Sequence, residues 1–350
     1  MSNFLLSTIQ KMKYLVCEKP YKLLTRNKPI PEPRKGESLL KIKLAGICGT
    51  DIHAYEGTQP FFDYPRILGH ELAAEYVSGS KAGMTAGDLV TVIPYFHCGN
   101  CIACRHGRTN CCANIQVFGV HIDGGFSEYI IVKDEYIVAG KGLSLEELVV
   151  VEPLAIAAHA IRRAQVSDQD TVLIMGVGPI GAGLIHFAKV AEAKKIIVMD
   201  TNKNRLQYAK DTLQVDDIIN PTKEDVMVSL NTMTNGDMPT VVLDATGNHK
   251  VLEGAFSYMA HGGRYVLVGI QKSHLSFSHP EFHKREATLM SSRNATLQDF
   301  NFVIDCLQKG KINLQKYITH YLPFSAIESD FESLRNANTD VLKAVIDFAK

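Results

Sequence analysis

The chain of 350 residues has no tryptophan and no net charge, its 37 Lys and Arg matching 37 Asp and Glu. A nucleic-acid-binding surface would show as a basic excess or stripe, and polybasic membrane attachment as a cluster of one sign. The balance argues against both. No apolar run reaches the ~18 residues of a transmembrane helix. Met1–Gln10 lacks a basic segment ahead of its short apolar patch, which argues against a secretory signal; residues 1–11 read as a loose extension and the protein as cytoplasmic. There is no internal repeat and no low-complexity tract. What remains is an ordinary globular composition, 46% hydrophobic and 21% charged. It is long enough for about two domains and needs no disulfide staples.

The cysteines are unevenly placed. Five of the eight, Cys98, Cys101, Cys104, Cys111 and Cys112, fall in one short stretch; Cys17, Cys48 and Cys306 stand apart. In a long chain without a secretory signal such a cluster reads as metal binding rather than as a disulfide framework. C-x2-C turns present neighbouring thiolates to one ion, and tetrahedral zinc takes four of them. Cys98, Cys101, Cys104 and Cys112 therefore read as a closed structural zinc site; spacing alone leaves Cys111 able to replace Cys112.

Residues 12–150 are rich in Gly, Pro and short β-like runs such as 41–44, 89–93 and 126–132, which suggests an irregular all-β region. From about Val151 the pattern changes to apolar strands (171–175, 195–199, 217–219, 240–243, 264–268) alternating with helical stretches (to 193, 204–213, 224–233, 250–259). That alternation implies parallel βαβ units and a doubly wound sheet, so the chain is α/β overall. A helix (297–309) and an apolar segment (341–348) close the sequence.

Gly176, Gly178 and Gly181 form G-x-G-x-x-G after an apolar strand and before a helix, with Asp200 at the end of the next strand. This is the dinucleotide context. Gly176 permits the tight turn, Gly178 lets backbone approach the pyrophosphate, and Gly181 lets helix pack on strand. Pro179 suits the first helical turn, whose free N–H groups face the phosphates. Asp200 would accept from the ribose 2′-hydroxyl and repel a 2′-phosphate, favouring NAD over NADP. Arg205 is expected to pack on the adenine. Upstream, Cys48, the pair His70-Glu71 and Glu152 supply the ligand types of an open, catalytic zinc site.

Segments 46–53 (GICGTDIH), 69–71 (GHE), 98–112 (C-x2-C-x2-C-x7-C), Glu152-Pro153 and 176–181 (GVGPIG) stand in one order along the chain. In this set the protein resembles the zinc-dependent medium-chain dehydrogenases over nearly all of its length from Met12. Segments 59–66, 108–112, 119–125, 280–284 and 292–296 are similar to the polyol, threonine and sugar-acid branch.

The resemblance implies a discontinuous GroES-like β-rich catalytic domain (1–155 and 294–350) and an inserted NAD-binding Rossmann domain (156–293), in a homodimer or homotetramer. It implies two zinc ions per chain, the catalytic one on Cys48, His70 and Glu71, with Glu152 as a further ligand or close partner. It also implies a proton relay through Thr50 and His53. Ile180, Val268, Gly269, Ile270, Ser292 and Arg293 would complete the cofactor site. The implied reaction oxidises a secondary hydroxyl of a sugar acid or polyol to a ketone, with hydride transfer to NAD. A sugar acid needs a cationic partner for its carboxylate. Arg66, His121, His283 and Arg293 are eligible, and His121 is favoured. The alternatives are a polyol or L-threonine substrate, or a non-catalytic binding protein of this fold.

Overall fold

The computed structural model describes residues 10–60, 62–335 and 341–350; of the extension expected over 1–11, residues 1–9 lie outside these, as does Phe61 of segment 59–66, and Lys11 already opens the first strand. Strands β1 (Lys11–Lys19) and β2 (Lys22–Pro29) form a hairpin, joined at its edge by β4 (Arg66–Ile67). A seven-stranded sheet is built on β3 (Glu37–Ile47), β5 (Glu71–Gly79), β6 (Leu89–Val92), β9 (Tyr129–Lys133) and β10 (Ile137–Ala139). Its other two members come from the far end of the chain, β17 (Ile318–Pro323) and β18 (Lys343–Asp347). The order is β10-β6-β5-β3-β18-β17, with β9 also on β3. β3 is thus flanked by β5 on one side and β18 on the other. A short pair, β7 (Tyr95–Phe96) with β8 (Gln116–Val117), brackets the cysteine-rich lobe.

The expectation of an all-β region fails in three places. Helices α1 (Gly49–Glu56), α2 (Ile102–Arg105) and α3 (Leu145–Val149) interrupt it. The local signals of α1 and α3 are caps rather than apolar periodicity. Asp51 Oδ2 accepts from Cys48 N at 2.9 Å to start α1. Ser144 and Glu147 exchange hydrogen bonds in a capping box that starts α3.

The second sheet is six-stranded and parallel. It comprises β11 (Thr171–Met175), β12 (Lys195–Met199), β13 (Asp217–Ile219), β14 (Val241–Asp244), β15 (Arg264–Leu267) and β16 (Thr288–Ser291), in the order β13-β12-β11-β14-β15-β16. Helices α5 (Pro179–Val190), α6 (Lys203–Asp211), α7 (Val226–Met233), α8 (His249–Gly254) and α9 (His279–Lys284) make the crossovers. The inner strands β11, β12 and β14 are almost wholly buried, as their continuous apolar sequences require when helices cover both faces. β16 left no such trace, because its residues are mostly exposed at the sheet edge. The helix expected over 250–259 ends at Gly254 and continues as a single 3₁₀ turn, Ala255–Ser257.

Helix α4 (Val151–Ala164) runs through the expected boundary at 155/156 and packs against α5 and against α10 (Leu297–Gln308); a short α11 (Ile327–Asp330) follows β17. α4 is buried along most of its length, which fixes its first turn, carrying Glu152, against the sheet. No helix among the described residues is long and apolar enough to cross a membrane.

One buried group in this packing titrates. His186 of α5 is buried, its Nε2 has no hydrogen-bond partner, and burial together with Lys189 pushes it down to about 4. An unfolded histidine titrates near ~6.5, so between these values the unfolded chain binds the extra proton and stability falls as pH drops. We expect His186→Leu to remove up to about 3 kcal/mol of the stability lost between pH 6.5 and 4. The check is urea unfolding across that range; an unchanged slope would exclude His186 as the source.

Candidate active site

Four remote segments converge at one end of β3. Gly46 pairs with Glu71 across the β3–β5 ladder, so Cys48, just past the end of β3, lies beside His70, just before β5. Asp51, fully buried on α1, ties the two: Oδ2 accepts from Cys48 N at 2.9 Å and Oδ1 from Gly69 N at 3.0 Å. On the other flank of β3, Ala344 pairs with Ile47 and brings Lys343 in. The Lys343 ammonium is 1% exposed and donates to Ile47 O at 3.1 Å and to both Glu71 oxygens at 2.6 and 2.5 Å. This reach across β3 requires Gly46, since a Cβ there would sit 1.9 Å from Glu71 Oε2. Glu152 enters from α4, buried, and accepts from the Tyr95 hydroxyl.

Ligand atoms of Cys48, His70 and Glu71 lie within 4.8 Å of one another. Glu71 faces Lys343, whereas Cys48, Thr50, His70, Tyr95 and Glu152 line a cleft of about 820 Å³. The charges make the case for a cation. Asp51, Glu71 and Glu152 are three buried carboxyl groups beside the Cys48 thiol, and Lys343 is the ammonium that faces them. Burial pushes Glu152 up to about 7, aided by Glu71 and opposed by His70. Burial disfavours a charged His70, yet Asp51 and Cys48 outweigh it and hold its proton well above the ordinary value. A field that retains a proton on a buried imidazole also favours a metal ion. Asp51 stands 3.9 Å from His70 Nδ1, which has no hydrogen-bond partner. The donor set, a thiol, an imidazole and carboxylates, is that of an open zinc site.

In the cysteine lobe, ligand atoms of Cys98, Cys101, Cys104 and Cys112 also lie within 4.8 Å of one another. Cys112 is the buried fourth member, while Cys111 is exposed and turned towards the cleft, which resolves the ambiguity left by spacing. Backbone N–H groups of Ala113 and Cys104 hold the Cys101 thiol down to about 6, so it is ready to ionise.

At the glycine turn, a Cβ on Gly181 would lie 1.8 Å from Gly176 O. Beside Gly178 nothing approaches closer than the Arg205 guanidinium at 4.0 Å, leaving room for a phosphate at the start of the twelve-residue α5. Asp200 Oδ2 accepts from Val177 N at 2.7 Å and so lies at the same turn. Arg205 lies at the same turn, its guanidinium near Gly178 and donating to Val341 O at 3.3 Å.

Val268, Gly269 and Ile270, past the end of β15, line the cleft opposite the metal ligands, together with Ser292 and Arg293. His121 lines it too; its Nδ1 accepts from Val117 N at 3.1 Å, and burial with Arg293 and Arg66 nearby pushes its imidazole towards the neutral form. Charge for an anionic substrate therefore resides on Arg293. Arg66 is not a cleft-lining residue, and His283 lies exposed on α9. Of the expected relay, Thr50 reaches the cleft. His53 does not; its side chain is 61% exposed, with Nδ1 3.0 Å from Thr58 Oγ1. Asp51, Tyr95 and Lys343 are additions. Only Lys343 carried a signal, a charge within the apolar run 341–348.

These features define a zinc-type dehydrogenase, and the chain belongs to that family. It matches the alcohol dehydrogenase GroES-like domain over residues 34–142 and the zinc-binding dehydrogenase domain over 179–309. It is 43% identical to L-galactonate-5-dehydrogenase of Escherichia coli (strain K12), over 96% of this chain and 99% of that one. It is 34% identical to L-threonine 3-dehydrogenase of Pyrococcus abyssi, over 89% and 91%. Among solved structures, the alcohol dehydrogenase rspB of E. coli CFT073, complexed with NADH, superposes with a TM-score of 0.89 at 33% identity, covering 97% and 99%.

Removing the Lys343 ammonium isolates a buried carboxylate, which costs about 3–5 kcal/mol. Lys343→Met should lose that much in urea unfolding of the metal-free protein and clearly less after zinc is added, since zinc can take over Glu71. An equal loss in both states would separate Glu71 from the metal.

Proposed function

We propose that this dehydrogenase oxidises a secondary hydroxyl of a sugar acid, in the manner of an L-galactonate-5-dehydrogenase, with NAD as acceptor. The observation that carries the reading is the single cleft in which Cys48, His70, Glu152 and Thr50 face Val268–Ile270 and Arg293, which makes no ion pair among the described residues. Zinc, when bound, lowers the pKa of a substrate hydroxyl, and a nicotinamide accepts the hydride. Cys48 and His70, with Glu71 or Glu152, would hold the metal, and the four thiols of the cysteine lobe a second, structural ion. The cleft-lining Thr50 hydroxyl would accept the proton that leaves the substrate while passing its own on, and exposed His53 would be the relay's outer member that exchanges a proton with water. Gly176, Gly178, Pro179, Ile180 and Gly181 cradle the pyrophosphate with help from Arg205. Asp200 favours a free ribose hydroxyl over a 2′-phosphate. Val268, Gly269, Ile270 and Ser292 form the wall of the nicotinamide side.

Arg293 pairs with the substrate carboxylate while neutral His121 donates or accepts one hydrogen bond beside it. The reading carries with it a cytoplasmic location, a homodimer or homotetramer, and a division into a catalytic part, 1–155 with 294–350, and a cofactor part, 156–293.

The test is metal analysis followed by a substrate panel of galactonate, other sugar acids, sorbitol and L-threonine, with NAD and NADP side by side. Two zinc ions per chain and the highest kcat/KM on a sugar acid with NAD are expected. No metal and no NADH formed would overturn the enzymatic reading, and preference for sorbitol or threonine would overturn the acid. Arg293→Gln should raise KM for the acid about tenfold or more, the worth of one charge-assisted hydrogen bond. His121→Ala should raise it less. Both should leave KM for a neutral polyol nearly unchanged, and equal effects on the two substrates would remove the carboxylate contact.

A further inference from the structure

A second concavity of about 460 Å³ adjoins the catalytic cleft and shares Cys111, Ser291 and Arg293 with it. Four arginines line it, Arg108, Arg162, Arg163 and Arg293, and no acidic residue does. Arg162 is neutralised: its Nε and Nη2 donate to Asp299 Oδ1 at 3.0 and 2.8 Å. The remaining Asp299 oxygen is taken up by His159 Nδ1 at 2.9 Å. Arg108, Arg163 and Arg293 make no ion pair among the described residues. In a chain of zero net charge, three uncompensated guanidinium groups around one hollow are a local surplus of one sign. Salt leaves charges unscreened over ~8–10 Å, so like charges gathered on one hollow favour the entry of a multivalent anion.

The frame that holds them is fixed. Buried Asn110 donates to Arg293 O at 2.9 Å and lies 3.1 Å from His159 Nε2, while Asn294 donates to Asn110 O at 3.3 Å. His159, Arg162 and Arg163 are on the packed helix α4. None of the glycine-turn residues takes part, so this hollow is separate from the cofactor phosphate cradle.

We propose that this hollow is an anion-binding site for a small phosphate-type oxyanion, free or as a phosphoester. The planar forks of Arg108, Arg163 and Arg293 match tetrahedral oxyanions bidentately. Arg293 belongs to both cavities, so an anion here withdraws it from the cleft. On the sugar-acid reading, it raises KM for the acid without changing kcat.

The test uses zinc-loaded enzyme saturated with NADH, so that the cofactor's phosphate subsites are filled. Inorganic phosphate and glucose 6-phosphate are titrated against chloride at equal ionic strength, and thermal melting is followed. A saturable rise in Tm is expected for at least one of them. The double variant Arg108→Gln with Arg163→Gln should weaken apparent binding tenfold or more while keeping kcat. Each single variant should weaken it severalfold. The source that binds tighter is the kind of ligand the site takes. No rise beyond chloride in the native protein, or an undiminished rise in the variants, overturns the site. No substrate enters the melting experiment, so its failure leaves the substrate reading standing.

Discussion

Three buried carboxyl groups, Asp51, Glu71 and Glu152, share a space with the single ammonium of Lys343, with the half-buried Cys48 thiol beside them, and the catalytic end of the molecule is arranged around that imbalance. Buried charge is tolerated only when matched. Lys343 matches Glu71, Tyr95 holds Glu152 by a hydrogen bond, and Asp51 is spent on two backbone N–H groups. The thiol of Cys48 and the imidazole of His70 remain, facing the cleft with a field that calls for a further positive ion. The backbone follows the same requirement. Gly46 is bare so that a carboxylate can cross the strand, and β18 is drawn into the sheet beside it.

Helix α4 links this charge balance to the rest of the cleft. Its fourteen residues span about 21 Å. Its first turn supplies Glu152 beside the metal ligands, and its last turn supplies Arg162 and Arg163 to the neighbouring hollow. It packs on α5, the helix that opens at the glycine turn. The candidate metal ligands, the glycine turn and the arginine-lined hollow are thus referred to one rigid rod. Arg293 stands where the two cavities meet, so their ligands compete for the same side chain.

Much of this was legible in the sequence because its signals are local. The strand cores at 171–175 and 195–199 coincide with the observed elements, since an inner parallel strand must be apolar on both faces, and 217–219 coincides with the short edge strand β13. The glycine turn, the four-thiol cluster and the Cys48, His70, Glu71 group are each marked by residue type and spacing, and the fold brings them together. What escaped depends on distance or exposure. β16 is an exposed edge without apolar pattern, and α1 and α3 rest on caps. Lys343 meets Glu71 across a separation of 272 residues. Tyr95 lies 57 residues from Glu152, with nothing nearby to mark its role. The bond from Arg205 to Val341 O could not be read without knowing that Val341 returns past the glycine turn.

The placement of β18 has a consequence for how the molecule comes into being. On the ribosome, β3 and β5 emerge early, yet the strand that completes their sheet follows only after the whole parallel-sheet segment has been made. Until then Glu71 lacks the Lys343 counter-ion, and the stretch Leu44–Ile47 of β3, beyond the part paired by β9, is an open edge. A nascent chain is therefore held short of a finished metal pocket while the nucleotide-binding half folds, and closure of the pocket marks the end of assembly rather than its beginning.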